Sequence, residues 1–224
     1  MKRYLLLLTV IAFTSCAPVY VPNAINTPLF TEQHDASLQG SFGFNGYDVQ
    51  AAYSPLKHFG IMANTGFYNV NDDSHQFFEG GLGYYGDFET NGRYEVYAGF
   101  GNGNTILNNN ILSERISARY NRVFIQPAIG AKMSVFEASF APRISVVNLY
   151  DLKLDNITNT PTNALFFEPV VTAKVGYKYG KFFVQFGASL HSNDVLSIYS
   201  QPLIFNIGLN LSFSKLYLQK KGSE

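Results

Sequence analysis

The sequence predicts an all-β fold, an antiparallel up-and-down transmembrane β-barrel of about ten strands. Three observations predict it. Stretches of the chain alternate large apolar with small or polar residues. The last, residues 203–213, sets Leu203, Phe205, Ile207, Leu209, Leu211 and Phe213 against Asn206, Gly208, Asn210 and Ser212, with Ile204 the exception. A strand turns successive side chains to opposite faces, and eleven residues match the roughly 9–11 that cross a bilayer at a tilt. Connections between these stretches alternate short and long, as in outer-membrane barrels. No apolar segment reaches the ~20 residues of a membrane helix. Backbone polar groups in hydrocarbon must be paired, which requires a barrel to close.

Residues 1–15 read as an export signal. Lys2 and Arg3 are its basic start, and residues 4–13 are an apolar core too short to span as a helix. Residues 16–35 hold Pro18, Pro22 and Pro28 without a period, which predicts an extended tether. Residues 36–214 are the barrel domain, and residues 215–224 a polar tail.

Ten strands follow in order. The first, 36–45, turns Leu38, Phe42 and Phe44 outward and meets the second, 47–54, at Asn45-Gly46, a pair that tolerates the positive φ of a hairpin turn. The third, 59–69, carries Phe59, Ile61 and Phe67; the fourth, 76–88, Phe78, Leu82 and Tyr84; the fifth, 93–101, Tyr94, Val96 and Phe100. The sixth, 119–133, has Val123, Ile125 and Ile129 outside; the seventh, 136–147, Phe136, Phe140 and Ile144. The eighth, 165–179, has Phe167, Val171 and Val175 outside; the ninth, 182–191, Phe182, Val184 and Phe186. Residues 102–118 and 148–164, rich in Asn, Thr and Ser, are expected to be long outer loops. An even strand count puts both ends of the barrel, and with them residue 16, on the side of the short turns.

The opposite face gathers the charges of the strands: Glu79, Arg93, Glu95, Arg122, Lys132, Glu137, Arg143, Glu168 and Lys174. These are expected in the lumen, paired across neighbouring strands into a polar plug. A narrow solute pore is the functional alternative. On the lipid face such groups would cost ~2–4 kcal/mol each for Lys or Arg near the midplane. Charged residues are 14% of the chain, against roughly 25% in soluble domains. Removing residues 1–15 leaves 16 − 2 = 14 basic and 16 acidic residues, and no basic stripe for nucleic acid. Four scattered histidines and one cysteine give no metal spacing, and no cofactor is expected. A soluble β-sandwich, or a lipocalin-like ligand-binding barrel with the apolar face inward, has the same alternation.

Phe13-Thr14-Ser15-Cys16 resembles a bacterial lipoprotein signal, with Phe13 where the pattern usually has an aliphatic residue. The resemblance implies that Cys16 is acylated and becomes the mature N-terminus. His191-Ser192 is similar to part of the His-x-Ser-Asn stretch of lipid A deacylases. In those enzymes, however, the histidine lies two residues before the serine, where this chain has Leu190. A lipid A-modifying hydrolase is therefore the least favoured reading. The paired acids of the ten-stranded omptin proteases are not seen. With its lipidation signal, proline-containing tether and ten strands, nearly the whole chain resembles small outer-membrane β-barrel lipoproteins of Gram-negative bacteria. That implies a monomeric, non-enzymatic protein of the outer membrane, in contact with its lipid, anchored at Cys16 on the periplasmic side. Envelope or surface proteins would be its partners, met through the outer loops.

Overall fold

The computed structural model describes residues 19–70, 73–109, 114–154, 157–158, 161–177, 179–192 and 200–214, with no helix among them. The expected signal, Cys16 and the expected polar tail lie outside the described residues. Ten long strands form the fold: β1 (Ala36–Gly43), β2 (Gly46–Leu56), β3 (Phe59–Val70), β4 (Asp73–Phe88), β5 (Gly92–Asn109), β6 (Glu114–Lys132), β7 (Phe136–Leu154), β8 (Thr162–Tyr177), β9 (Gly180–Ala188) and β10 (Leu203–Phe213). Two-residue pieces at Ile157–Thr158 and Leu190–His191 extend the sheet. Each strand pairs antiparallel with the next in sequence. The first then pairs with the last over Ala36↔Phe213 to Gly43↔Asn206, and the barrel is closed.

That closing seam needs Gly208, which lies opposite Ser41. A Cβ there would press on the Gly40 carbonyl and, at 2.7 Å, on the Ser41 Cα. Backbone cannot move aside as a side-chain tip can. Gly208→Val should therefore prevent closure, read as loss of the folded, fast-migrating form on unheated SDS gels.

The short turns lie at one end, around residues 57–58, 89–91 and 133–135. The hairpins at the other end differ from the expected loops. Residues 102–118 and 148–164 are largely strand: β5 runs to Asn109 and β6 starts at Glu114, while β7 runs to Leu154 and β8 starts at Thr162. The reason is visible in the side chains. In the described part of these stretches alternation continues with its polarity reversed, so the exposed face becomes Asn-rich and reads as loop.

In the barrel body the outward residues are apolar and exposed. Among them are Leu38, Val49, Ile61, Leu82, Val96 and Ile125. Exposed aromatics stand toward both ends, Phe42, Tyr47, Phe67, Phe78 and Phe100 on the hairpin side and Tyr53, Phe59, Tyr84, Phe88 and Tyr94 on the turn side. The reversal then takes one step. Phe100, Val123, Val146 and Leu165 face one another across four strands, all outward and exposed. Two residues further along, the register aligns Asn102, Asn121, Asn148 and Asn163. Asn148 Nδ2 donates to Asn163 Oδ1 at 2.6 Å within this row. Inside the hairpins, Leu107, Ile116, Ala118, Tyr120, Val147, Leu149, Ala164 and Phe166 form a buried apolar cluster.

The expected tether is extended, but it does not lie outside the barrel. Residues 19–30 are buried and run down the lumen. Val19 and Tyr20 belong to the apolar cluster inside the hairpins, and Tyr20 bridges to Ser200 at that end. Phe30 packs with Ala52, Met62, Tyr85, Tyr97 and Phe124 toward the turns. There His34 N donates to the Ser54 carbonyl at 2.7 Å, and the chain turns back into β1.

Candidate functional site

The lumen and the segment inside it form the one concentrated polar site of the described residues. The segment is extended and makes no ladder with the wall beyond the Tyr20 bridge. Its backbone groups must nevertheless be paired in the interior, and inward side chains of the wall do this. Gln185 binds both sides of one residue: its Oε1 accepts from Ile25 N at 3.0 Å, and its Nε2 donates to the Ile25 carbonyl. Asp48 accepts from Ala24 N at 3.4 Å while Gln50 donates to the Ala24 carbonyl. Gln126 donates to the Asn26 carbonyl at 2.7 Å, and Lys174 to the Thr27 carbonyl at 3.0 Å. Leu29 has φ 47°, an uncommon value for a branched side chain. Its peptide groups are held from both sides, N–H by Glu95 at 3.0 Å and carbonyl by Lys132 at 2.9 Å.

Packing fixes the register. Ile25 is fully buried among Ala128, Ala141, Val170 and Ile204. These are four of the apolar exceptions on the otherwise polar inner face, and they form its socket. The β6–β7 ladder breaks at this level, between Ile125↔Ile144 and Ile129↔Phe140. Pro127 and Pro142 lie in the break and have no N–H to contribute. Gly130 makes room lower down, since a Cβ there would stand 2.9 Å from Leu29.

Two charge clusters surround the segment. In the upper one, Glu79 binds Arg122 through Oε2 and Arg143 through Oε1, the latter at 3.3 Å. Asn23 from the segment joins the cluster: its Oδ1 accepts from Arg122 at 2.6 Å and Arg143 at 2.9 Å, and its Nδ2 donates to Glu79 at 3.0 Å. Tyr20 Oη accepts from Arg122 at 2.7 Å and donates to Glu168 at 3.0 Å. The Arg143 guanidinium also stacks 4.7 Å over Phe124. In the lower cluster, Glu137 meets Lys181 at 2.6 Å and Lys174 at 3.8 Å.

All nine residues expected in the lumen are buried there: Glu79, Arg93, Glu95, Arg122, Lys132, Glu137, Arg143, Glu168 and Lys174. Their pairing is less local than expected. Arg143 lies opposite Glu168 in the sheet, yet its ion pair reaches across the lumen to Glu79. Lys132 and Glu95 bind the segment rather than each other. Arg93 stands apart and donates to the Gly92 carbonyl at 2.7 Å.

Lys181, expected in a turn, points inward from β9 and is buried; strict alternation back from Phe183 signals it. Tyr20 and Asn23 carry no periodic signal at all. His191 and Ser192 are placed apart in their interactions: Ser192 Oγ accepts from Leu165 N at 3.3 Å, and the His191 ring lies 5.6 Å from Phe166.

Asn23→Leu keeps the approximate volume but leaves two guanidinium groups and Glu79 each short of one hydrogen bond. Unmet buried partners cost ~1–3 kcal/mol, more when charged, and the urea midpoint should fall accordingly. No protein-family model matches this chain, and no curated protein matches it.

Proposed function

We propose that this protein is a lipid-anchored, non-enzymatic outer-membrane barrel whose lumen is closed by its own N-terminal segment and whose hairpins meet envelope or surface partners. The reversal of polarity at the asparagine row carries the reading. Below it the outside is oily and the inside polar; above it the outward residues include Asn104 and Arg119, with Tyr150 an exposed exception, and the inside holds the apolar cluster beside His75 and Thr105. A soluble barrel has no reason to change its exterior across one aligned row. A barrel leaving hydrocarbon for water has every reason.

The dimensions agree. Phe59 and Phe67 are eight steps apart on β3, about 26 Å along the strand at ~3.3 Å per residue, or about 20 Å of height at ordinary barrel tilts. Aromatics at both borders and aliphatics between them match the girdles of membrane barrels. A lipocalin-like protein would need its apolar face inward and its polar face in water, the opposite of this distribution. The filled lumen argues against a solute channel in the resting protein. Acylation of Cys16 remains part of the proposal through its signal-like surroundings.

Two substitutions on β4 test the reading. Leu82→Arg places a cation in the middle of the exposed apolar band, and Gln76→Arg places one outside it on the same strand. In lipid vesicles Leu82→Arg should lower stability by ~2–4 kcal/mol, and Gln76→Arg by under about 0.5 kcal/mol. Equal, small effects would contradict a bilayer around the apolar band.

A further inference from the structure

We infer that the protein carries its own chain through its barrel, so that residues 30 to 19 run from the short-turn side to the hairpin side and Val19 lies at the end opposite the start of β1 and the end of β10. This rests on the membrane reading above. The path is that of residues 19–36. β1 starts and β10 ends beside the short turns, where Thr31 Oγ1 lies 3.2 Å from Ser214 Oγ. Going backward from β1, the chain enters the lumen at Phe30. It passes Leu29 between Glu95 and Lys132, then Thr27 at Lys174, Ile25 at Gln185 and Asn23 at Glu79. It reaches Tyr20 beneath the hairpins, where Gln201 N donates to the Tyr20 carbonyl at 3.2 Å. The eleven steps from Val19 to Phe30 can extend to about 36–40 Å, more than a bilayer's hydrocarbon thickness.

Each contact is specific to one level of the wall, so the direction of the segment is fixed. Cys16 is three residues ahead of Val19, within about 11 Å of extended chain. An acyl group on it would be delivered to the hairpin side of the membrane, the outer leaflet in an ordinary outer-membrane orientation, and not to the periplasmic leaflet. The wall around the segment is continuous, and the lumen is packed against it. An acylated end therefore enters before the seam between β1 and β10 closes. The seam suits this order, since it joins the strand attached to the segment to the last strand of the barrel.

The test uses full-length protein in cells with a short epitope at one of three places: after Pro18, between Asn109 and Asn110, or after Glu224. Folding of each form is checked by its heat-dependent shift on SDS gels. Antibody should reach the Pro18 and Asn109 epitopes on intact cells, and the Glu224 epitope only after permeabilisation. An Asn109 epitope reached from outside, with a Pro18 epitope reached only after permeabilisation, would overturn the threading and leave the membrane reading standing. An Asn109 epitope also hidden on intact cells would sink the membrane orientation, and a cross-link between positions 20 and 166 would then decide the threading alone. Because an inserted epitope could itself divert the segment, a second measurement needs none. Tyr20 and Phe166 have ring centroids 4.2 Å apart, so Tyr20→Cys with Phe166→Cys, in a Cys16→Ser chain, should be joined by a short thiol cross-linker in membranes. No cross-link in a protein that shows the heat shift would overturn the proposal.

Discussion

Replacing Glu79 by glutamine should lower the stability of the folded barrel by ~3–5 kcal/mol, the usual cost of leaving a buried ion pair with one partner missing. Glu79 is fully buried and faces two arginines that are themselves 2% and 0% exposed. Neither guanidinium can reach water to recover its hydration. Glutamine keeps the shape and one acceptor but removes the charge that both arginines share. The chain contains no tryptophan, so unfolding is followed by far-ultraviolet circular dichroism or by the gel shift, in urea.

A surface acid provides the contrast. Asp151 meets Lys153 at 3.3 Å and Arg119 at 4.0 Å, with the lysine and arginine side chains 45% and 64% exposed. Pairs of this kind are worth about 0–1 kcal/mol, and Asp151→Asn should hardly move the midpoint. Combining Glu79→Gln with Arg143→Gln should cost less than the sum of the two alone, since the residues share one network. Equal midpoints for Glu79→Gln and Asp151→Asn would mean that the upper cluster is solvated.

Deleting residues 19–30 should have the second large effect, on conductance as well as stability. The full chain should be silent in planar bilayers, because Tyr20, Ile25, Leu29 and Phe30 are nearly or fully buried along the length of the lumen. Without the segment, Gln185, Gln126, Gln50, Lys132 and Lys174 lose the carbonyls they donate to. Unpaired polar groups of this kind draw in water, and a hydrated ten-stranded lumen should pass small ions in discrete steps. The heat shift on the same preparation establishes that the shortened chain has folded. Conductance by the full chain equal to that of the deletion would contradict a closed lumen.

The barrel was legible because its strands obey a period of two in which chemistry and direction coincide. Every charge assigned to the inner face is buried, and the turn at Asn45-Gly46 is present with Gly46 at φ 95°. Where periodicity and polarity part company, legibility fails. Residues 102–107 and 116–118 keep the strand period but exchange which face is oily, and the outward Asn102 and Asn104 resemble loop composition. The segment at 19–30 is extended without any periodic signal, because its backbone is held by side chains from many strands and its own side chains point in all directions. Two features in the sequence do point to it in retrospect. Ile204 interrupts the polar face of β10, and Val170 that of β8; both turn out to line the socket of Ile25. A polar face that breaks its own rule marks where something apolar lies against it.

A spin label reads the surroundings of the outer face directly. In a Cys16→Ser chain reconstituted in lipid vesicles, Leu82→Cys and Asn104→Cys are each labelled with a nitroxide. Both positions are outward and exposed, one in the middle of the apolar band and one beyond the asparagine row. Collision rates with oxygen, which concentrates in hydrocarbon, and with a water-soluble nickel chelate are then compared. A label at position 82 should be reached by oxygen and shielded from nickel, with the reverse at position 104. Nickel reaching both labels equally would contradict it.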